Sequence, residues 1–103
     1  MKHYPVIVAP LARKSLKEIT TYIKKDSPSA ARLVRRTLIA LMETLGTHPE
    51  KFPKEILLEG RKKNYRSAIQ WHYKIVYLFT GKEVHVLDII HTSMNPEEVK
   101  RVK

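Results

Sequence analysis

The chain has 103 residues, which is enough for one small hydrophobic core and too few for two. Residues 1–103 are therefore expected to form a single domain. Hydrophobic residues make up 43% of the chain, which excludes disorder throughout, and the absence of cysteine excludes a disulfide framework and thiolate catalysis. Lys and Arg number 20 against 10 Asp and Glu, a net charge of +10 that favours a polyanionic or acidic partner.

The location of the protein is predicted from two absences. No apolar run reaches the length of a signal-peptide core or of a membrane span. The lack of cysteine fits a reducing compartment. We therefore expect a cytoplasmic protein without a membrane partner.

The first half of the chain predicts a short strand and a pair of helices. The apolar residues 6–8 lie between two prolines, as in an edge strand. A helix is predicted over residues 10–25, and Ser27 and Pro28 stop the chain and begin a second helix by capping and by proline at the first position. The second helix is expected to end at Gly46 in a left-handed capping conformation. Both helices carry apolar stripes, which include Ala12, Leu16, Ile19 and Ile23 in the first and Ala31, Val34, Leu38, Leu41 and Leu45 in the second.

The second half predicts a sheet in residues 64–91. Over residues 73–79 an aromatic and Ile series alternates with Lys74, Val76 and Leu78, the period of two that indicates a strand with one buried face. Residues 84–90 are an almost continuous apolar run, which predicts the most buried strand. Gly81 allows the tight turn between them, and residues 64–69 add a strand through a turn near Gln70 and Trp71.

The remaining segments are a loop and a short helix. Residues 48–63 contain two prolines and no clear period, which predicts a surface loop with a short turn near residues 56–58. Asn95 as cap and Pro96 as first residue predict a short C-terminal helix. The sum is an α+β fold, an N-terminal helical hairpin packed on a small, mostly antiparallel β-sheet in the order βααβββ. The other side of the sheet is expected to be cationic.

Several short motifs in this order resemble the ParE/RelE superfamily of type II toxins. They are VIVAPLARKSLKEITTYI at the start, PEKFP in the loop, NYR and YKIVY in the sheet, and IIHTSMNP at its end. The resemblance covers nearly the whole chain. It implies a toxin that is neutralised by a cognate antitoxin, whose extended segment and helix wrap the toxin in a hetero-oligomer.

One branch of the superfamily, the RelE-like toxins, cleaves messenger RNA on the ribosome. The resemblance then implies a metal-independent endoribonuclease in which Arg66 and Lys74 supply cations and His91 acts as general acid or base. The sequence departs from that pattern in three places. Ala68 and Gln70 stand where such enzymes carry basic residues, Lys74 replaces an arginine whose planar fork would clamp phosphate, and the C-terminal segment lacks the expected arginine and tyrosine.

The other branch, the ParE-like toxins, inhibits DNA gyrase by binding and needs no catalytic residues. The closing residues 91–95, HTSMN, match the frame in which such toxins end their last strand. Together with the missing ribonuclease residues, this favours the ParE-like interpretation and a protein that is not an enzyme. A basic adaptor domain that has lost toxicity is the third alternative.

Individual candidate residues have more than one reading. Arg66 could clamp a phosphate or pair with a carboxylate such as Asp88 or Glu59, whereas Lys74 is expected to be a solvated charge. Trp71 could stack on a partner or cap the sheet edge, and His91 is expected chiefly to order its loop. The histidine spacing predicts no metal site, and no cofactor is predicted. The residues expected to bind a partner are Arg61, Lys62, Lys63, Arg66, Trp71, His91, Met94 and Asn95.

Overall fold

The computed structural model describes residues 3–55 and 63–92. Its elements follow the predicted βααβββ order. The strands are β1 (Val6–Val8), β2 (Asn64–Gln70), β3 (Tyr73–Phe79) and β4 (Val84–His91), and the helices are α1 (Pro10–Lys24) and α2 (Pro28–Thr44).

The strands of the described part form one four-stranded sheet in the order β1-β4-β3-β2. The β2–β3 and β3–β4 pairs are antiparallel, and β1 pairs in parallel with β4 at one edge. β4 therefore lies inside the sheet, which confirms the prediction that it is the most buried strand. At the opposite edge, Lys54 forms an antiparallel bridge with Arg66, so the loop before β2 covers part of that strand's free edge.

The two helices begin where the sequence predicts. Pro10 opens α1, and the Ser27 hydroxyl accepts a hydrogen bond of 3.2 Å from the Ala30 amide at the start of α2. The connection between the helices is three residues long, and the helices pack against each other as the predicted hairpin. The apolar stripes face the sheet, with Ala12 and Leu38 fully buried.

The predicted role of Gly46 is wrong. Among the described glycines only Gly81 has a positive φ, of 93°. A Cβ atom at Gly46 would lie 2.5 Å from the carbonyl oxygen of Tyr4, whose amide donates a 2.8 Å hydrogen bond to the Gly46 carbonyl. Glycine is required here because two backbone segments approach closely, not because the helix ends in a left-handed conformation.

The main core lies between the helices and the sheet. Its buried members are Ala12, Leu38, Met42, Leu45, Ala68, Ile75, Tyr77, Val84, Val86 and Ile89. The predicted aromatic series of β3 belongs here: Tyr77 is fully buried, and Tyr73 and Phe79 pack against the same core.

The opposite face of the sheet is not the cationic surface that was expected. It carries a second apolar cluster of Tyr65, Val76 and Ile90, which are all at most 5% exposed, with Leu78 and Leu87 packed against them. The alternation in β3 therefore does not separate a buried face from a solvated one. Both faces of the central strands are apolar, as in a sheet that is covered on both sides.

An irregularity in β4 turns one carboxylate toward the helices. Tyr77 pairs with Val86 and Val76 with Asp88, so the register passes over Leu87, as in a β-bulge. Asp88 then accepts a hydrogen bond from the Ser15 hydroxyl of α1 at 2.5 Å. This contact joins the sheet to the first helix through a buried polar group.

Some expectations fall outside the described residues. They concern the C-terminal helix after Asn95 and the turn near residues 56–58. Within residues 3–55 and 63–92, no helix is long and apolar enough to cross a membrane.

Candidate functional site

Arg66 is a structural anchor for the loop before β2. Its Nη1 donates to the carbonyl oxygen of Phe52 at 2.7 Å, and its Nε donates to the side-chain oxygen of Asn64 at 3.0 Å. The carboxylate of Glu50 lies 3.4 Å from Nη2, and the Arg66 side chain is only 14% exposed. The guanidinium is thus engaged on several sides, which leaves little of its donor fork for a phosphate.

The proposed partner of Arg66 was in part wrong. Asp88 does not contact it, because the bulge in β4 directs that carboxylate to Ser15 of α1. Glu59, the other carboxylate considered, lies outside the described residues. The observed carboxylate partner, Glu50, precedes β2 by 14 residues and could not be chosen from sequence spacing alone.

Tyr77 holds the same loop from the core side. Its hydroxyl donates to the Pro49 carbonyl oxygen at 2.8 Å in a buried hydrogen bond. Burial raises the pKa of Tyr77 to about 12, although the nearby Arg66 guanidinium acts in the opposite direction. The phenol is therefore a neutral donor at physiological pH. Residues 48–53 are fixed to the sheet by Tyr77 and Arg66 together.

Lys74 is paired and not a solvated charge, so that expectation was wrong. Its ammonium lies 3.0 Å from one carboxylate oxygen of Glu55 and 3.2 Å from the other. The side chain of Glu55 is 2% exposed and that of Lys74 is 19% exposed. A buried carboxylate needs such a partner, since desolvation without one is costly.

The three residues considered for ribonuclease chemistry lie apart. Arg66 stands opposite Tyr77, and Lys74 stands opposite Ile69, three positions further along β2. Three positions correspond to about 10 Å and to opposite faces of the strand. His91 stands opposite Tyr73, whereas Arg66 stands opposite Tyr77. These two positions on β3 are four residues apart, so His91 and Arg66 are separated by about 13 Å along the strand. These residues do not surround a common phosphate position.

His91 belongs to a small ring cluster at one end of the sheet. Its imidazole is stacked on that of His72 with centroids 5.8 Å apart, and it meets the Tyr73 ring edge-on at 5.7 Å. The Thr92 amide donates to the His72 carbonyl oxygen at 2.8 Å, which ties the end of β4 to the β2–β3 turn. Within the described ranges, no group of three His, Asp or Glu residues is placed to hold a metal ion.

An apolar hollow lies beside this cluster, between α2 and the β2–β3 turn. Its volume is about 640 Å³. Two large side chains on its wall are half exposed, Leu33 at 46% and Trp71 at 48%. Trp71 has a φ of 55°, a left-handed backbone conformation that bulky residues rarely adopt, and its side chain is nearly half exposed. The lining residues are Ala30, Leu33, Val34, Trp71, His72 and Tyr73.

The sequence analysis predicted Trp71 as a partner-binding residue but missed Leu33, which lines the same hollow. Leu33 lies next to Val34 on α2 but outside the apolar stripe that faces the core. A large apolar residue in that position is a sequence signal for an exposed hydrophobic contact. Of the other residues expected to bind a partner, Lys63 is exposed before β2. Arg61, Lys62, Met94 and Asn95 lie outside the described residues.

Comparisons with known proteins agree with the observed fold. A solved structure described as the chromosomal ParDE toxin–antitoxin system from P. aeruginosa is similar with a TM-score of 0.70. The match covers 88% of this chain and 98% of that one, and at 15% identity it shows a shared fold. No curated protein matches the sequence. A family model described as the ParE toxin of the type II toxin-antitoxin system, parDE, matches residues 6–96. The chain therefore belongs to the ParE toxin family of type II toxin–antitoxin systems.

Proposed function

We propose that this ParE-family toxin inhibits DNA gyrase by binding it and that it does not cleave nucleic acid. The observation that carries the proposal is the family match over residues 6–96. The positions of Arg66 and Lys74 support it, because both cations are held by carboxylates and lie on opposite strand faces. A nuclease would need them converged on one phosphate.

Induction in cells tests this proposal when DNA topology and translation are followed separately. Plasmid supercoiling should change within the time in which growth stops, while ribosome-bound messenger RNA keeps intact ends. Early codon-specific cleavage of messenger RNA with unchanged supercoiling would contradict the proposal and favour the ribonuclease alternative. Unimpaired growth at full expression would favour the non-toxic adaptor.

The proposed antitoxin contact is the apolar hollow between α2 and the β2–β3 turn. Half-exposed Leu33 and Trp71 leave apolar surface uncovered, and a wide, shallow hollow of this kind suits the apolar face of an amphipathic helix. An aromatic residue such as Trp71 is the usual anchor of such a contact. His91, which stands opposite Tyr73 on β4, would then lie at the rim of the interface.

Variants at the hollow can separate neutralisation from toxicity. Leu33→Ala together with Trp71→Ala should weaken antitoxin binding by at least about 30-fold, because truncating one central aromatic anchor costs about 2 kcal/mol or more. Leu11→Ala is the matched control, since Leu11 is 38% exposed on α1 and does not line the hollow. Equal antitoxin affinity for the double variant and the control would place the contact elsewhere.

A further inference from the structure

The outward face of the helical hairpin is strongly cationic. It is formed by α1 and α2 on the side away from the sheet, and all of its basic residues are exposed. We call it the helical basic face, and its cations are Lys17, Lys24, Lys25, Arg32, Arg35 and Arg36.

Three shallow grooves make this face continuous. A groove of about 350 Å³ along α1 and one of about 330 Å³ between the helices share Thr21. The groove between the helices shares Arg32 and Arg35 with a third, of about 470 Å³, on α2. A linear polymer could therefore follow one uninterrupted surface from α1 to α2.

The cations of this face have no acidic partners within the part of the chain that the structure describes. The ion pairs found there involve Arg66, Lys74 and His85, which all belong to the sheet. Glu18 and Glu43 are the acidic residues that line the grooves. Unlike Arg66 and Lys74, the helical cations keep their full hydrogen-bonding capacity for an external anion.

The side-chain chemistry of this face fits phosphodiesters better than a protein. Arg32, Arg35 and Arg36 branch from just over one turn of α2, about 6 Å along the helix axis. Tyr22 is 72% exposed on α1, where it lines the groove that contains Lys17 and Lys25. Arg, Lys, Thr and Tyr are the side chains that commonly contact phosphates and sugars. The apolar residues in its grooves, such as Ile39 and Ala40, lie among the cations, and among the described residues of this face only Tyr22 is a large, highly exposed hydrophobic side chain. A protein interface would require a larger apolar centre.

We propose that the helical basic face binds the phosphodiester backbone of a nucleic acid duplex without reading its sequence. This face is separate from the apolar hollow and from the residues weighed for catalysis. The proposal does not depend on gyrase being the toxin's target.

The test measures binding of the purified full chain to a fluorescent duplex at several salt concentrations. Arg32→Gln with Arg35→Gln removes the two guanidinium groups shared between grooves, while Lys54→Gln with Lys82→Gln removes the same charge from exposed positions elsewhere. Losing two phosphate contacts should make the slope of log K against log salt shallower by about 1.8. When salt rises from about 50 to 200 mM, both proteins should lose affinity, and the factor lost by the parent should be about 12 times the factor lost by the arginine variant.

Each outcome supports or overturns the proposal. A shallower salt slope for the arginine pair, with a parent-like slope for the lysine pair, would support it. Parallel measurements with DNA and RNA duplexes would show which nucleic acid this face prefers. An equal decrease in the salt slope for the arginine pair and the lysine pair would mean that net charge alone drives binding, which overturns the proposal. Displacement by polyglutamate at the same charge concentration as DNA would also overturn it, in favour of an acidic protein partner.

Discussion

Replacing Tyr77 with phenylalanine should reveal how firmly the loop before β2 is held. The phenol is fully buried and donates at 2.8 Å to the Pro49 carbonyl oxygen. Phenylalanine keeps the ring in the core but leaves that carbonyl without its donor. The free energy of unfolding at pH 8 should fall by about 1–3 kcal/mol.

The same substitution should change how stability depends on pH. Tyr77 keeps its proton to about pH 12 in the folded protein but loses it near pH 10 when unfolded. The stability that comes from this raised pKa is fully present below pH 10. It is lost as the pH rises through 12, because between these values the unfolded state binds fewer protons than the folded state. Two pKa units correspond to roughly 3 kcal/mol. Between pH 10 and 12, the free energy of unfolding of the parent should therefore fall by this amount more than that of Tyr77→Phe.

Urea unfolding followed by circular dichroism at intervals from pH 8 to 12 measures both effects. Tyr22→Phe is the matched control, since its ring is 72% exposed and it should unfold like the parent at every pH. A stability difference between parent and Tyr77→Phe that stays constant across this range would refute the reasoning, since it would mean that the phenol is not buried with a raised pKa.

Three other substitutions test contacts that hold the fold. Gly46→Ala should destabilise the protein by about 1–3 kcal/mol, because the new Cβ would meet the Tyr4 carbonyl oxygen at 2.5 Å; an unchanged thermal midpoint would refute that close approach. Ser27→Ala should cost about 1 kcal/mol in chemical denaturation by removing the cap of α2, and Ser27→Thr should restore most of it. Lys74→Met should cost about 3–5 kcal/mol, since it removes the ammonium from the buried Glu55 carboxylate. In a double-mutant cycle with Glu55→Gln the two losses should not add, and additive losses would show that the pair is uncoupled.

Local patterns were sufficient to predict the helices and strands. The stripes of α1 and α2 and the proline and serine between them specify two helices and their boundary, because these signals act within a few residues. The turn at Gly81 and the apolar run of β4 likewise place the hairpin. Such elements are predictable because their hydrogen bonds and capping groups are close in sequence.

The incorrect predictions concern contacts between distant segments. Gly46 is constrained by Tyr4, more than 40 positions earlier, and Arg66 is held by a loop 14 to 16 residues before it. Lys74 reaches Glu55 across 19 positions. Periodicity cannot show such partners, since it reports only which side of an element faces the core.

The site was predictable in composition more than in geometry. Trp71 was identified as an aromatic residue at the turn, but its neighbours in the hollow come from α2, nearly 40 residues away in sequence. The second apolar cluster was missed for a similar reason. Val76 looked like the solvent-side member of an alternating strand, yet Tyr65 and Ile90 come from the two neighbouring strands to bury it.

The most direct test of the account is a purified assay with both candidate targets. The full-length toxin is added to DNA gyrase with relaxed plasmid and, in parallel, to ribosomes translating a defined messenger RNA. We predict dose-dependent loss of supercoiling, with the messenger left intact at the same toxin concentration and inhibition reversed by the cognate antitoxin. Cleavage of the messenger at defined codons, with gyrase fully active, would contradict the central claim.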